Sequence, residues 1–253
     1  MLWLIGGTQE SAVLARDLVA QGIDCVVTVT TAGARRLYPD TECCRVWVGK
    51  LTPEAVGEFL QTYSVRAILD ASHPFAAAVS ELAIATAADL HLPYLRFERS
   101  PVEGVAPREW VFPSVEALLA TDLLINERVL LTIGYRYLPL FQPWQDRAIL
   151  FARILPSQEA LAGAIAAGFT PDRLIALRPP IAAPLEKALW QQWQISLVVA
   201  KASGSPGGED IKRQVAADLG IKLVTLARPA LAYPQVTSDR AIALDFCRRA
   251  LAQ

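Results

Sequence analysis

The sequence lacks any apolar run long enough to cross a bilayer, although 53% of its 253 residues are hydrophobic. A spanning helix needs about 20 mostly apolar residues. The best stretch, residues 75–90, is shorter and is broken by Ser80, Glu81 and Asp89. No basic segment precedes the first apolar residues, which run straight into Gly6 and Gly7, so the N-terminus reads as a first strand rather than a secretion signal. Charge of one sign is also missing: the net charge is −1 with the signs interspersed, and binding nucleic acid would require a basic face. Cysteine is scarce. Cys25, Cys43, Cys44 and Cys247 show neither C-x-x-C nor metal-ligand spacing, so no metal site is expected. They read as reduced thiols of a cytoplasmic protein. There are only two histidines, His73 and His91, and no G-x-S-x-G elbow to support a serine hydrolase. Low-complexity tracts and short repeats are absent. What remains is a cytoplasmic globular protein, a monomer or weak homo-oligomer, with no nucleic-acid or membrane partner.

Strand-like and helix-like segments alternate along the chain. Residues 2–5 form an apolar run closed by Gly6-Gly7. Thr8 then caps a helix with Glu10 in its first turn and with Ala12, Leu14, Ala15, Leu18 and Val19 on one side. Further strands are expected at 25–30, 45–48, 67–69 and 93–97. Helices are expected from Thr52-Pro53-Glu54 to about Tyr63 and over 75–90. After a polar, proline-bearing stretch at 98–107 a second series begins. Its strands are placed at 110–112, 129–133, 148–153, 173–176, 197–200 and 222–226, and its helices at 114–124, 157–167, 184–193, 208–219 and 238–252. This rhythm predicts an α/β protein with mainly parallel sheets. Two similar domains, 1–100 and 101–253, fit usual domain sizes; one sheet continued across the boundary is the alternative.

Three turns have ligand-binding character. In the first, Gly6-Gly7-Thr8-Gln9-Glu10, glycines let the backbone approach a ligand and the helix start offers N–H groups and positive dipole to a phosphate. The spacing is not G-x-G-x-x-G, so a tight turn built for geometry alone stays open. The second strand ends without the acid that would hold a ribose 2′-OH. Thr30, Thr31, Arg35 and Arg36 follow instead. A hydroxyl with a guanidinium fits a 2′-phosphate, which favours NADPH and leaves NADH possible; a solvated arginine pair is the other reading. In Asp70-Ala-Ser-His-Pro-Phe-Ala76, three polar groups crowd into four positions beyond a buried-type strand, and Pro74 stiffens the helix entry. A cap-and-turn cluster would look the same.

Taken together these segments resemble the precorrin-6A reductase family. The likeness rests on Ile5-Gly-Gly-Thr-Gln-Glu-Ser11, Val48-Gly-Lys-Leu51, Asp70-Ala-Ser-His-Pro-Phe-Ala76 and Tyr94-Leu-Arg-Phe-Glu-Arg99. It continues through Leu131-Thr-Ile-Gly134, Lys201-Ala-Ser-Gly204 and Gly220-Ile-Lys-Leu-Val-Thr-Leu-Ala-Arg-Pro229. The family more often has Thr where Ser72 stands, and consecutive glycines where Ser205-Pro206 precede Gly207-Gly208. The resemblance implies two Rossmann-like domains flanking a cleft, with a nicotinamide cofactor held mainly by the first. It implies reduction of the C18=C19 double bond of precorrin-6A, or of its cobalt complex, to precorrin-6B in corrin (vitamin B12) synthesis.

On this reading the cofactor is held by Gly6, Gly7, Thr8, Gln9 and Glu10, by Thr31, Arg35 and Arg36, and by Gly49, Ser72, His73 and Pro74. An anionic tetrapyrrole needs cations around an apolar floor. Lys201, Ser203, Gly204 and Lys212 lie in a glycine-bearing loop whose following helix start offers N–H groups; a flexible loop with solvated lysines is the alternative. Thr132, Gly134 and Tyr135 follow another strand. Arg96 and Arg99, near the boundary, either bind substrate carboxylates or tie the domains together. Trp190 and Trp193, at helical spacing, read as core. His73, Lys201 and a bound water are the candidate proton donors. Two rivals stand beside this reading. A short-chain-type dehydrogenase requires Tyr-x-x-x-Lys, and Tyr63, Tyr135 and Tyr233 have no lysine four residues on. A non-catalytic nucleotide sensor or regulatory subunit would bind through Gly6-Gly7 and turn over nothing.

Overall fold

A computed structural model describes residues 1–102, 104 and 106–252. Residues 103 and 105, within the expected boundary stretch 98–107, lie outside the described residues. The chain folds as two compact units, Met1–Ser100 joined by the segment from Pro229 onward, and Pro101–Arg228.

The first unit runs β1 (Leu2–Ile5), α1 (Gln9–Ala20), β2 (Cys25–Val29), α2 (Ala32–Arg35), β3 (Cys44–Val48), α3 (Pro53–Thr62), β4 (Ala67–Asp70), α4 (Ala77–Asp89) and β5 (Tyr94–Phe97). The second runs β6 (Glu109–Phe112), α5 (Val115–Leu119), β7 (Arg128–Leu131), β8 (Ile149–Ile154), α6 (Gln158–Ala166), β9 (Leu174–Ala176), α7 (Ala183–Gln192), β10 (Leu197–Lys201), α8 (Glu209–Leu219) and β11 (Lys222–Leu226). The chain then adds β12 (Val236–Thr237) and α9 (Arg240–Ala252).

Each sheet has six strands, every named pair parallel, in the orders β3-β2-β1-β4-β5-β12 and β9-β8-β7-β10-β11-β6. Both follow the doubly wound order, in which strand succession reverses beside the first strand. The sixth place in each is filled by the strand that follows the other unit's fifth: β6 comes after β5 in the chain, and β12 after β11. Residues 229–252 therefore belong to the first unit, which corrects the expected second domain of 101–253. The physical reason is β12 pairing with β5, and α9 placing Ala243, Leu244 and Cys247 in the first unit's core.

The central strands β1, β2 and β4 of the first sheet are buried on both faces, as a sheet covered by helices on each side requires. Leu2 and Leu4 pack with Leu14 and Leu18 of α1 and Val27 of β2. Trp3 and Ile5, pointing the other way, pack with Phe59 of α3, Ile68 of β4 and Ala83 of α4. A large apolar side chain buried this fully contributes roughly 1.5–3 kcal/mol. The Trp3 indole, wholly buried, donates its N–H to Thr28 Oγ1 at 2.9 Å, so its polar atom is satisfied.

In the second unit Leu130, Phe151, Val198, Ala200 and Leu223 build one face with Trp190 and Val215. Trp190 lies in this core and Trp193 stacks on Phe151 at 4.7 Å. Ser114 and Ser157 cap α5 and α6 by accepting from Ala117 and Ala160 amides. Between β7 and β8 runs a 3-10 segment, Tyr135–Trp144, which contains Pro139 and Pro143 and buries Leu138, Phe141 and Trp144. No helix among the described residues is long and apolar enough to cross a membrane.

Candidate functional site

In doubly wound sheets ligands bind beyond the carboxyl ends of the strands where the order reverses. In the first unit those strands are β1 and β4, which brings the turns 6–8 and 70–76 together. Thr8 Oγ1 donates to the Ala71 carbonyl at 2.9 Å, and the Ala71 amide donates to the Ile5 carbonyl at 3.0 Å. Thr8 also caps α1: it accepts from the Ser11 amide, while Ser11 Oγ accepts from the Thr8 amide, both at 3.0 Å. Gln9 and Glu10 follow in the first turn, where N–H groups have no intrahelical acceptor.

The two glycines do different work. A Cβ on Gly6 would lie 2.7 Å from Val27 Cγ1 and against the Tyr38 hydroxyl, so no side chain fits. Gly7 has φ +101, and nothing lies within 4 Å of where its Cβ would be. The left-handed backbone and the open side are both suited to close approach by a ligand. Tyr38, which nothing in the local sequence singled out, accepts a hydrogen bond from the Gly7 amide at 2.5 Å and shares one with Ser11 Oγ at 2.7 Å. Burial pushes its phenol pKa up.

Asp70 is the hub of the second turn. It is fully buried and accepts from the Ser72 amide (3.0 Å), Ser80 Oγ (2.6 Å), Tyr94 Oη (2.9 Å) and Arg96 Nη1 (2.8 Å). Burial, followed by the charge of Asp70, raises the Tyr94 phenol. Arg96 also donates to Ser72 Oγ at 2.9 Å and to Glu98 at 2.6 Å, with Tyr233 5.2 Å beneath its guanidinium. Burial works against its charge, and Asp70 and Glu98 more than compensate, so its pKa is raised. At 1% exposure Arg96 holds the turn from inside. Its bonds to Asp70, Ser72 and Glu98 keep it inside the first unit's turn, which corrects its expected role as an open cation for substrate carboxylates. Arg99 forms an ion pair with Glu10, its Nε 2.9 Å from Oε1 and its Nη2 2.9 Å from Oε2. A shallow depression lined by Thr8, Glu10, Ser72, Pro74, Arg96 and Arg99 lies at this end of the sheet. His73 Nδ1 accepts from the Phe75 amide at 3.2 Å. That leaves the proton of a neutral ring on Nε2.

Beyond β2, Thr31 caps the short α2 by accepting from the Ala34 amide, and Thr31, Arg35 and Arg36 are exposed. Gly49 closes β3 and donates to the Val29 carbonyl at 2.9 Å. A Cβ there would meet the Trp47 ring at 2.7 Å, so the residue is glycine for packing.

In the second unit the order reverses between β7 and β10. Thr132 follows β7 and donates from Oγ1 to the Val199 carbonyl at 3.0 Å. Gly134 has φ +89 and is exposed. Tyr135 donates to Glu159 and packs on Gly163, so it anchors the 3-10 segment to α6. Lys201 ends β10 with its Nζ 4.3 Å from the centre of the Tyr137 ring. Burial, with a contribution from Arg136, brings its ammonium down to about 8.

The loop that follows departs from expectation. Its amides are already bonded: Gly204 to Glu209 Oε2 at 2.7 Å, Gly207 to the Gly204 carbonyl, Gly208 to Ser205 and Glu209 to Gly204. The Glu209 carboxylate and the turn itself thus take the amides of the loop and of the first helical residue, Glu209. Lys212, 5% exposed, directs Nζ to the Gly207 and Gly208 carbonyls at 2.9 and 3.0 Å. It therefore braces the loop rather than lying open to an anion. Ser203 is buried. No group of three or more His, Cys, Asp or Glu suited to a metal occurs among the described residues.

Comparison with known proteins fits this geometry. Residues 1–248 match the model of the family described as precorrin-6x reductase CbiJ/CobK. The chain is 51% identical over 253 residues to a cobalt-precorrin-6A reductase of Synechocystis sp., covering 99% of this chain and 97% of that protein. It is 31% identical to a cobalt-precorrin-6A reductase of Priestia megaterium, covering 94% of each chain. A precorrin-6A reductase of Rhodobacter capsulatus is 29% identical, over 91% of this chain and 88% of that one. A solved structure titled CobK precorrin-6A reductase superposes with a TM-score of 0.83 at 27% identity, over 98% of this chain and 96% of that one. With its sequence matched almost end to end and both sheets wound in one order, the chain belongs to the precorrin-6x reductase family.

Proposed function

We propose that this chain is a cytoplasmic enzyme that reduces cobalt-precorrin-6A at the C18=C19 double bond, with NADPH as reductant. The observation that carries this reading is the likeness to a cobalt-precorrin-6A reductase over 99% of the chain. The sensor alternative has no comparable support.

The residues present fit a dinucleotide. Gly7 offers an open, left-handed backbone, the α1 start offers N–H groups to a pyrophosphate, and Thr31, Arg35 and Arg36 offer exposed donors to a 2′-phosphate. When bound, the nicotinamide supplies a hydride. The chain's own work is to hold and orient. Glu10 and Arg99 brace the mouth of the first turn, and Asp70 with Arg96 fixes Ser72 from below. In the second unit Thr132, Gly134, Lys201 and Ser203 lie at the reversal point and are the candidate contacts for the anionic ring. Lys201 Nζ is the candidate source of the proton added beside the hydride, with a pKa near 8 suited to transfer at neutral pH; His73 is the second.

The test is spectroscopic. Protein, NADPH and cobalt-precorrin-6A are mixed, and nicotinamide absorbance is followed together with the tetrapyrrole spectrum. Oxidation of one NADPH per ring reduced is expected. No oxidation with either the cobalt or the metal-free ring would end the proposal.

A further inference from the structure

Tyr38 lies outside every motif that pointed to the nucleotide, yet it touches both parts of the site proposed above. Its backbone amide donates to the Arg35 carbonyl at 3.2 Å, closing the turn that carries Arg35 and Arg36. Its hydroxyl, at the far end of a rigid ring, lies in the β1–α1 turn on the Gly7 amide and on Ser11 Oγ. The ring is 7% exposed and packs in the core that includes Ala12, Val27 and Val29, with Ala34 and Leu37 against it. Gly6 has no side chain because this hydroxyl and Val27 fill the space a Cβ would need. One side chain thus spans from the exposed arginines to the phosphate turn.

We propose that Tyr38 is a positioning residue that sets the distance and orientation between the diglycine turn and Arg35-Arg36, and so contributes to choice of NADPH over NADH. The inference rests on the reading of Arg35 and Arg36 as a 2′-phosphate site. A pyrophosphate and a 2′-phosphate are joined through one ribose, so both must dock at once, and the second contact gains from a fixed spacing. NADH makes only the first contact. Loosening the span therefore penalises NADPH more.

The experiment compares wild type, Tyr38→Phe, the Arg35→Ala/Arg36→Ala pair, and the combination of all three. Steady-state kinetics are measured with NADPH and with NADH, and thermal unfolding is recorded for each. Tyr38→Phe keeps the ring in the core and removes only the hydroxyl. It is expected to raise KM for NADPH severalfold to tenfold, to raise KM for NADH less, and to leave kcat at saturating nucleotide and KM for the tetrapyrrole unchanged. In the arginine-less background the Phe substitution should cause no further loss of selectivity, because its effect runs through those arginines. Equal losses for both nucleotides, or an unchanged ratio with Tyr38→Phe while the arginine pair abolishes it, would overturn the role of Tyr38 alone. If the arginine variant keeps full preference for NADPH, the 2′-phosphate reading falls and this inference with it.

Discussion

Asp70 and Arg96 form an ion pair at 2.8 Å in which neither side chain is more than 1% exposed. Breaking such a pair leaves a buried charge uncompensated, which costs about 3–5 kcal/mol. Arg96→Met is therefore expected to lower unfolding free energy by roughly that amount in urea denaturation. The folded fraction should show no selective rise in KM for the tetrapyrrole. Unchanged stability with a large rise in that KM alone would restore Arg96 as a substrate contact.

Gly6→Ala separates the two glycines. The added methyl would lie 2.7 Å from Val27 Cγ1 and against the Tyr38 hydroxyl, and overpacking of this kind costs about 1–3 kcal/mol. It should also displace the hydroxyl from the Gly7 amide, so a fall in melting temperature and a rise in nucleotide KM are expected together. An alanine at 6 that leaves both unchanged would show that the turn has room the geometry denies.

Much of this architecture was legible because its signals are local. Alternating strand and helix periods along the chain call for parallel sheets, and Thr8, Ser114 and Ser157 cap the helices that their positions predict. Gly6-Gly7 and Asp70–Ala76 were found because turns after strands carry recognisable residues. What escaped notice depends on contacts remote in sequence. Tyr38 reaches Gly7 across 31 residues with nothing in its own neighbourhood to mark it. The return of the C-terminal segment to the first sheet depends on a strand of two residues, too short to show alternation. In the loop after Lys201 the glycines were visible, but the Glu209 carboxylate that takes the Gly204 amide reads in sequence only as an acid in a first turn. Arg96 reads in sequence as a cation for substrate carboxylates or a tie between domains, because charge in a sequence carries no record of burial.

The Lys201 proton can be followed by pH. Burial, with help from Arg136, lowers its pKa to about 8, so the ammonium is present below that value and lost above it. If Lys201 supplies the proton, kcat/KM should be level on the acid side and decline as pH rises through about 8. Lys201→Ala should lower kcat by about 10²–10⁴ and remove that alkaline limb. A limb that survives unchanged in the alanine variant would transfer the proton to another group, His73 first among them.

Lys212 offers a test on stability rather than rate. Burial, first among its causes, depresses its folded pKa to about 8 from the ordinary lysine value of 10.5. Between those two values the unfolded chain holds the proton and the folded chain does not. Stability contributed by this group therefore rises with pH across that window and is at its least below about 8. The full rise would be on the order of 3 kcal/mol. Lys212→Met keeps most of the buried stem but cannot titrate, so its unfolding free energy, measured in urea from pH 7 to about 10.5, should lack this rise relative to wild type. The comparison isolates Lys212 because Lys201, which shifts in the same direction, is present in both proteins. Losing the bonds to the Gly207 and Gly208 carbonyls should also speed amide hydrogen exchange in the 204–209 loop. Parallel stability curves for the two proteins would mean that Lys212 keeps an ordinary pKa in the folded state, by drawing in water or by swinging outward, and its assignment as an internal brace would then fail.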